Sequence, residues 1–194
     1  DPTLVLAAYE AFGERFPERL NGDFALGLFD PNRRRLLLAR DAIGVRPLYY
    51  ARPRDTFLFA SEIKALLAHP RVSPRPNDDV LAALLARVTA PDNQGLTFFE
   101  GVSSLPPAHM AILTPERFVT RRYWDFEPTR RTRLGSFQEY AEAFRHYFEQ
   151  AVRRRLRSAY PVAVSVSGGL DSSAIFCLAE TLRRSEPRRH PPLF

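Results

Sequence analysis

The chain has 194 residues, 45% of them apolar and 12% aromatic, which is enough apolar material for a packed core and argues against disorder. No apolar run approaches the ~20 residues that a membrane-spanning helix needs, and no signal-peptide pattern opens the chain. A single cysteine, Cys177, excludes an internal disulfide and indicates a reducing compartment. The composition therefore predicts a soluble, cytoplasmic protein that does not bind membranes.

The net charge of +6 raises the question of a nucleic-acid partner. Lys64 is the only lysine among the 28 basic residues, so arginine serves here as the general solubilising cation. The arginine runs 33–35 and 153–155 fall at an expected turn and at an expected helix C-terminus, where cations are favoured by the helix dipole. We therefore predict that no nucleic acid is bound.

The first half of the chain alternates short helices with short strands. Residues 4–16 have apolar side chains at helical spacing, and Pro17 is expected to end that helix. A β-hairpin is expected next, because the turn-forming residues 30–32 separate the apolar runs 24–29 and 36–39. The remaining elements predicted for this half are strands at 48–51 and 57–60, helices at 62–68 and 78–88, and a strand pair at 108–113 and 119–124.

A charged, proline-containing stretch, residues 125–135, reads as a linker between domains. Ser136 and Glu139 then form the pattern of a capping box and start a long amphipathic helix. The spacing of its apolar side chains places them on one face of the helix, and this face is expected to pack into a core. The residues on that face are Phe137, Tyr140, Ala141, Phe144, Tyr147, Phe148, Ala151 and Val152.

The most specific pattern in the sequence lies at residues 162–179. A short apolar run, 162–166, predicts a strand, and the run 174–179 has helical spacing. Between them stands the stretch Ser-Gly-Gly-Leu-Asp-Ser-Ser, residues 167–173. Two glycines allow a sharp turn and a close approach to a ligand, and the helix that follows offers free N–H groups to an anion. The stretch therefore predicts a site for a phosphate chain. A glycine turn with a serine-rich helix cap is the structural alternative.

This loop differs from the common nucleoside-triphosphate loop, which ends in Gly-Lys-Ser or Gly-Lys-Thr, because it contains no lysine. It resembles the pyrophosphate-binding loop of the ATP pyrophosphatases, which cleave ATP between the α- and β-phosphates. The resemblance implies that ATP and Mg²⁺ are bound here, and that Asp171 is a magnesium ligand. The residues expected to bind ATP or pyrophosphate are Val166, Ser167, Gly168, Gly169, Leu170, Asp171, Ser172 and Ser173.

Three segments of the first half carry a second resemblance. They are Leu-Asn-Gly-Asp-Phe-Ala at 20–25, Arg-Asp-Ala-Ile-Gly-Val-Arg-Pro-Leu-Tyr-Tyr at 40–50, and Phe-Ala-Ser-Glu-Ile-Lys-Ala-Leu at 59–66. In this order they closely resemble the class II glutamine amidotransferase domain of the asparagine synthetases. The loop at 167–173 falls where the synthetase domain of that family begins. The chain is thus identified as a member of the glutamine-hydrolysing asparagine synthetase family.

The resemblance implies an α/β protein of two domains. Residues 1–124 are expected to form an N-terminal-nucleophile-type sandwich of antiparallel sheets between helices. Residues 136–194 are expected to begin an α/β ATP-pyrophosphatase domain with a parallel sheet. The activity implied is glutamine hydrolysis to ammonia, followed by ATP-dependent conversion of aspartate to asparagine through a β-aspartyl adenylate. Glutamine, aspartate and ATP would be its small-molecule substrates, and a homodimer is a possible assembly.

The chain departs from the family pattern at its start. The family's nucleophile is an N-terminal cysteine, whereas this chain begins with Asp1, which matches a glutamine-binding aspartate of the family. An ordinary helix N-cap is the alternative role for Asp1. No catalytic residue of the glutaminase site is therefore expected in this chain, which reads as an internal fragment that is inactive on its own. Cys177, in the helix after the nucleotide loop, is expected to be a buried hydrophobic residue rather than a nucleophile.

The remaining polar residues are weakly informative about function. Arg40, Asp41 and Glu62 are expected to form an internal ion-pair or turn network, and the four histidines are too scattered for a metal cluster.

A related cyclase that closes an internal amide, of the β-lactam synthetase or lasso-peptide cyclase type, is the nearest functional alternative. An enzyme acting on tRNA and a catalytically inactive interaction module are the others.

Overall fold

The computed structural model describes residues 2–87, 95–186 and 193 of the chain. The chain divides into two compact units, Asp1–Glu127 and Pro128–Phe194. No helix among the described residues is both long enough and apolar enough to span a bilayer.

The first unit begins with helix α1, Pro2–Phe12, which continues as a 3₁₀ helix, Gly13–Arg19. The prediction that Pro17 ends the first helix is wrong, because Pro17 lies buried inside the 3₁₀ helix. The α-helical geometry ends at Gly13, whose φ of +56° is a left-handed conformation that glycine adopts with little cost.

Among the described residues of the first unit, seven strands form two antiparallel sheets. A four-stranded sheet has the order β1-β2-β6-β7, and a three-stranded sheet has the order β4-β3-β5. The strands are β1 Ala25–Asp30, β2 Arg35–Arg40, β3 Tyr49–Ala51, β4 Leu58–Ala60, β5 Val102–Ser104, β6 His109–Leu113 and β7 Phe118–Arg122. The strands predicted for this unit are confirmed, whereas β5 escaped prediction because it is three residues long and pairs with the distant β3.

The two sheets pack face to face. Alternate residues of β2 point to opposite sides, so Leu37 and Ala39 contact α1 and the 3₁₀ helix, while Leu38 joins a core shared with Tyr50 of the second sheet. The sheets approach so closely that a Cβ at Gly27 would lie 2.7 Å from the Phe59 ring. This arrangement confirms the predicted sandwich of antiparallel sheets.

A short helix covers the outer face of the three-stranded sheet. This helix, α2, Ile63–Leu67, buries Leu66 against Ala51 and Val102. Helix α3, Asp78–Leu85, has no buried side chain and ends earlier than the predicted 78–88, of which residue 88 lies outside the described residues. The order of layers from α1 to α2 is therefore helix, sheet, sheet, helix.

The second unit contains two helices, α4 Phe137–Arg155 and α5 Leu170–Ser185. They pack through Val152 and Leu156 on one side and Ala179 and Leu182 on the other. Ser136 caps α4 as predicted, since its Oγ accepts a hydrogen bond from the Glu139 amide at 3.2 Å. The Glu139 carboxylate accepts from the Gly135 amide instead of completing the capping box at Ser136.

Three predictions for the second unit are wrong in the described residues. The strand expected at 162–166 is reduced to one parallel bridge between Val162 and Leu193, because a parallel strand depends on partners distant in sequence. The apolar face of α4 is buried only near the C-terminal end of the helix, where Val152 and Phe148 pack with residues of α5, whereas Phe137 and Phe144 are 86% and 71% exposed. Cys177 is exposed because it lies outside the strip of α5 that contacts α4.

Candidate functional site

The predicted nucleotide loop lies at the start of α5. Gly168 has a φ of +83°, a left-handed conformation that favours glycine, and the space around its missing Cβ is open to at least 4 Å. Gly169 has a φ of −75° and is the N-cap of α5. The sharp change of direction from extended chain into helix is therefore made at Gly168.

Serine side chains hold the loop in shape. The Ser172 hydroxyl accepts a hydrogen bond from the Ser167 amide at 3.2 Å and lies 3.1 Å from the Ser167 hydroxyl. The same Ser172 hydroxyl donates to the Gly169 carbonyl at 3.3 Å. The Gly169 amide donates weakly to the Ser167 hydroxyl at 3.4 Å. These contacts fix the loop without using the backbone donors of the helix that follows.

The N-terminus of α5 differs from those of α3 and α4. Asn77 and Ser136 supply side-chain acceptors to the first amides of α3 and α4. Gly169 has no side chain, so the first amides of α5 receive no side-chain cap. In an α-helix the first four N–H groups have no intrahelical acceptor. An anion bound at this end of α5 would therefore meet free donors and the positive end of the helix dipole.

Asp171 lies in the first turn of α5, next to these amides. Its carboxylate is exposed, and within the described residues it makes no hydrogen bond or ion pair. The described residues contain no group of three metal-ligating side chains. A single carboxylate beside a phosphate site fits the way Mg²⁺ is bound together with a nucleotide, because that ion takes most of its ligands from phosphate and water.

All eight residues predicted to bind ATP or pyrophosphate lie together in this one segment. Most of the segment is exposed, with Val166 at 46% and Leu170 at 85%, so the loop is open to a ligand from solvent. Its neighbours in the fold are α5 itself and the extended segment before Ser167. The geometry is compatible with phosphate binding and leaves both glycines without a crowding side chain.

The loop that follows β2 in the first unit is held by two charged residues that do not pair with each other. Arg40 donates hydrogen bonds to the carbonyls of Arg46, Leu105 and Gly44 at 2.7–2.8 Å. The buried Asp41 carboxylate accepts hydrogen bonds from the amides of Arg46 and Val45, each at 2.9 Å. The predicted turn network is therefore present, but it is built on backbone groups rather than on an ion pair.

The electrostatics of Asp41 follow from this cage. Burial raises the pKa of its carboxyl, but the amide hydrogen bonds lower it more, and the resulting pKa is below the ordinary value. Glu62, which was grouped with Arg40 and Asp41 in the prediction, lies apart at the surface. It forms an exposed ion pair with Lys64 at 2.6 Å. Its inclusion in the internal network is therefore wrong.

Comparison with known proteins supports both resemblances. Residues 1–124 match the glutamine amidotransferase domain, and residues 143–190 match the asparagine synthase family. The chain belongs to the glutamine amidotransferase domain family. The asparagine synthase match includes the nucleotide loop at 167–173 and the whole of α5.

The curated relatives carry two kinds of name. Asparagine synthetase [glutamine-hydrolyzing] 3 of Bacillus subtilis is 36% identical over 92% of this chain and 29% of its own length. Amidase chry2 of Gibberella zeae is 39% identical over 90% of this chain and 26% of its own. Amidase chyE of Penicillium rubens is 35% identical over 95% of this chain and 27% of its own. The chain thus spans between a quarter and a third of the length of these relatives.

The amidotransferase domain carries one further feature that sequence reasoning missed. An open, mainly apolar cavity of about 460 Å³ lies between α1 and the segment 19–24, which includes the Asn-Gly-Asp turn. Asp1, the predicted glutamine ligand, immediately precedes α1 but lies outside the described residues. The sequence signal for the cavity is the set of apolar side chains at helical spacing in α1.

Three of the four histidines lie among the described residues, and each makes its own local contact. His69 accepts a hydrogen bond from the Arg71 amide, and His109 contacts the Pro107 carbonyl. His146 contacts Gln150 on the same helix. His190 lies outside the described residues. Local hydrogen bonds therefore account for the three histidines that the structure describes.

Proposed function

We propose that this protein is a glutamine-dependent ligase that makes asparagine from aspartate with ATP. The amidotransferase domain would release ammonia from glutamine. The asparagine synthase segment would activate the side-chain carboxylate of aspartate. The two family matches, in this order along one chain, support the combination. We further propose that residues 125–135 link the two domains and that the enzyme acts in the cytoplasm on small molecules, without a nucleic-acid partner.

The uncapped N-terminus of α5 is the structural observation that carries this proposal. Gly169 leaves the first amides of α5 without a side-chain acceptor. At the N-termini of α3 and α4, Asn77 and Ser136 supply such an acceptor. A serine or an aspartate at this N-cap would stabilise the helix by only roughly a few tenths of a kcal/mol more than glycine does. The support for the proposal is therefore the access that Gly169 gives, because without a side chain there a ligand can approach the free amides of the helix.

The proposed reaction divides into two steps. A carboxylate oxygen of aspartate attacks the α-phosphorus of ATP, the bond between the α- and β-phosphates breaks, and pyrophosphate leaves. Ammonia then attacks the acyl carbon, and AMP leaves with the electron pair of the broken carbon–oxygen bond. The loop amides and the hydroxyls of Ser167, Ser172 and Ser173 would bind the β- and γ-phosphates, which become the pyrophosphate. Val166 would lie near the adenosine.

Asp171 would hold the magnesium ion that accompanies the nucleotide. Mg²⁺, when bound, neutralises charge on the phosphates and so eases the departure of pyrophosphate. The carboxylate is suited to this role because it is exposed, adjacent to the loop amides and free of other partners in the part of the chain that the structure describes. Asp1 is proposed as a ligand of glutamine in the other domain.

An exchange assay tests the function. Purified full-length protein is incubated with ATP, Mg²⁺ and radioactive pyrophosphate, with and without aspartate, and label entering ATP is measured. We expect exchange that depends on aspartate, since only a reversible adenylation returns pyrophosphate to ATP. Exchange that needs no carboxylate, or label that never enters ATP with aspartate present, would contradict the proposal.

The amidase-named fungal relatives favour a second candidate, an adenylating enzyme that forms a different amide. This includes a cyclase that closes an internal amide and needs no ammonia. Glutamine hydrolysis separates the two candidates. An asparagine synthetase should release glutamate from glutamine, and its aspartate-dependent exchange should be matched by asparagine formation. A cyclase should show neither property.

A further inference from the structure

The tips of three hairpins in the first unit meet around an open groove of about 460 Å³, which we call the arginine groove. The β1–β2 turn, the β3–β4 turn and the β6–β7 turn each contribute to its wall. Arg34, Arg52 and Arg54 line it together with Phe29, Phe57 and Thr114. This groove has no part in the proposed chemistry of the nucleotide loop, which lies in the other unit.

Among the described residues, none of the three guanidinium groups forms an ion pair with a carboxylate. The only acidic residue in the wall is Asp55, and its carboxylate is already paired with Arg71 at 2.7 Å. Two neighbouring arginines, Arg33 and Arg35, do have such a partner, since both form an ion pair with Asp30. The groove therefore presents an excess of positive charge to a small anion.

The positions of these arginines are fixed by the fold. The guanidinium of Arg52 lies 4.7 Å from the centre of the Phe118 ring, and Phe118 itself packs against Tyr50 and Phe57. Arg34 and Arg54 have φ values of +46° and +54°, which are left-handed conformations that glycine adopts at a lower steric cost than arginine. Long cationic side chains stand at both hairpin tips in spite of that backbone preference.

The groove also offers flat apolar surface and a hydroxyl. The Phe29 ring is 65% exposed, and Phe57 stacks on Tyr50 at 5.9 Å with a 12° angle between the rings. The Thr114 hydroxyl accepts hydrogen bonds from the amides of Glu116 and Arg117, and its own hydrogen remains free to donate. Guanidinium groups suit phosphate, and exposed phenyl rings suit a planar heterocycle.

We propose that the arginine groove binds a nucleoside monophosphate or a similar small phosphorylated aromatic compound. The phosphate would lie among the guanidinium groups of Arg34, Arg52 and Arg54. The planar ring would lie against Phe29. Because the groove belongs to the amidotransferase unit, such a ligand would act on that domain from a site separate from the nucleotide loop.

The test uses AMP as the probe and full-length protein carrying Gly168→Val, which is designed to disable the nucleotide loop. This background makes the test independent of the proposed function. If that function is wrong, AMP binding at the groove should remain unchanged. Binding is measured by calorimetry in a buffer without phosphate. We expect saturable binding of AMP that is tighter than that of either adenosine or inorganic phosphate.

Variants assign the binding to the groove. Arg34→Gly together with Arg54→Gly removes two cations and places glycine at two left-handed positions, so folding should be preserved. We expect AMP affinity to fall at least tenfold. Arg87→Gly is the control for each single variant, Arg34→Gly or Arg54→Gly, since Arg87 also has a φ of +54°, lies outside the groove and loses one positive charge. Its AMP affinity should stay within twofold of the parent.

Several outcomes would overturn the inference. Absence of saturable AMP binding would show that the three arginines are ordinary solvated charges. A loss of affinity in Arg87→Gly equal to that in the single variants would show that net charge alone attracts the ligand. If inorganic phosphate binds as tightly as AMP, the planar ring of the ligand gains nothing from Phe29, and the proposed class of ligand is wrong. If the double variant does not fold, Arg52→Gln, in which the Phe118 cluster remains, should still weaken AMP binding, and an unchanged affinity there would contradict the proposal.

Discussion

The hydroxyl of Tyr9 donates a hydrogen bond to the carboxylate of Asp30 across 2.5 Å, joining α1 to the end of β1. Asp30 also accepts a hydrogen bond from the Arg33 amide at 3.0 Å and lies 3.7 Å from the Arg35 guanidinium. The Tyr9 hydrogen bond first, and then the contacts with Arg33, lower the pKa of Asp30 from 3.8 to about 2. The ionised carboxylate is thus the form that the fold prefers.

The first prediction concerns stability in acid. Because the pKa of Asp30 is lower in the folded chain than in the unfolded one, its contribution is complete above pH 3.8 and is lost as the pH falls towards 2. We expect Tyr9→Phe to raise the pKa of Asp30 and to reduce the part of the acid destabilisation that falls in this range. Urea unfolding, followed by fluorescence of Trp124, measures the free energy of unfolding at each pH.

A control for this experiment is Asp55→Asn, which alters an exposed acid paired with an exposed arginine. Its effect on the acid slope should be small, since exposed ion pairs contribute little. Identical pH profiles for Tyr9→Phe and the parent would show that the hydrogen bond does not set the pKa of Asp30.

The second prediction concerns Arg40, whose guanidinium donates to three backbone carbonyls around the loop after β2. Arg40→Lys keeps the charge but replaces a planar fork with a single ammonium group, which cannot reach all three acceptors. We expect the free energy of unfolding of the first unit to fall by about 2–3 kcal/mol. Trp124 fluorescence during urea unfolding reports on that unit.

Arg46→Lys serves as the matched change in the same loop, because the Arg46 side chain is exposed. Its effect should stay within about 0.5 kcal/mol, as for ordinary surface substitutions. Equal losses in the two variants would mean that the carbonyl contacts of Arg40 add nothing to stability.

The third prediction separates the two proposed activities. Asp171→Asn removes the carboxylate proposed to hold Mg²⁺ while leaving a side chain of similar size. We expect ATP–pyrophosphate exchange to be nearly abolished, with glutamine hydrolysis largely intact, because the change lies in the asparagine synthase segment. Both activities are assayed on full-length protein. A parallel loss of the two would indicate a folding defect and not the loss of a metal ligand.

The fourth prediction concerns the two glycines of the loop. The left-handed backbone conformation of the loop lies at Gly168, whereas Gly169 has a φ of −75°. We therefore expect Gly168→Val to weaken ATP binding at least tenfold, about 1.4 kcal/mol. Gly169→Val should act only by crowding the ligand, and Gly169→Ala should have the smallest effect, since the added Cβ meets Ser167 Oγ at 3.4 Å.

Titration with ATP and Mg²⁺ gives the affinities of the three glycine variants. Circular dichroism checks that each variant is folded. A folded Gly168→Val protein that binds ATP as tightly as the parent would make the loop a structural turn, and the nucleotide assignment would then fail.

The sequence alone determined the features that are local along the chain. The loop at 167–173 and the start of α5 depend on contiguous glycines, serines and helix-forming residues, so their order could be recognised without a structure. The Ser136 cap and the β1–β2 hairpin are local for the same reason: their hydrogen bonds join residues that are close in sequence. The family resemblance likewise followed from short contiguous motifs.

The tertiary structure decided everything that depends on which residues meet across long separations. Strand β5 exists because Val102 pairs with Ala51, and periodicity cannot show that partner. The exposed aromatic face of α4 looked like a core stripe, because amphipathicity shows that a face is apolar without showing what covers it. The arginine groove gathers Arg34, Arg52 and Arg54 from two turns with Thr114 from a third, and only the packing of two sheets brings those hairpin tips together.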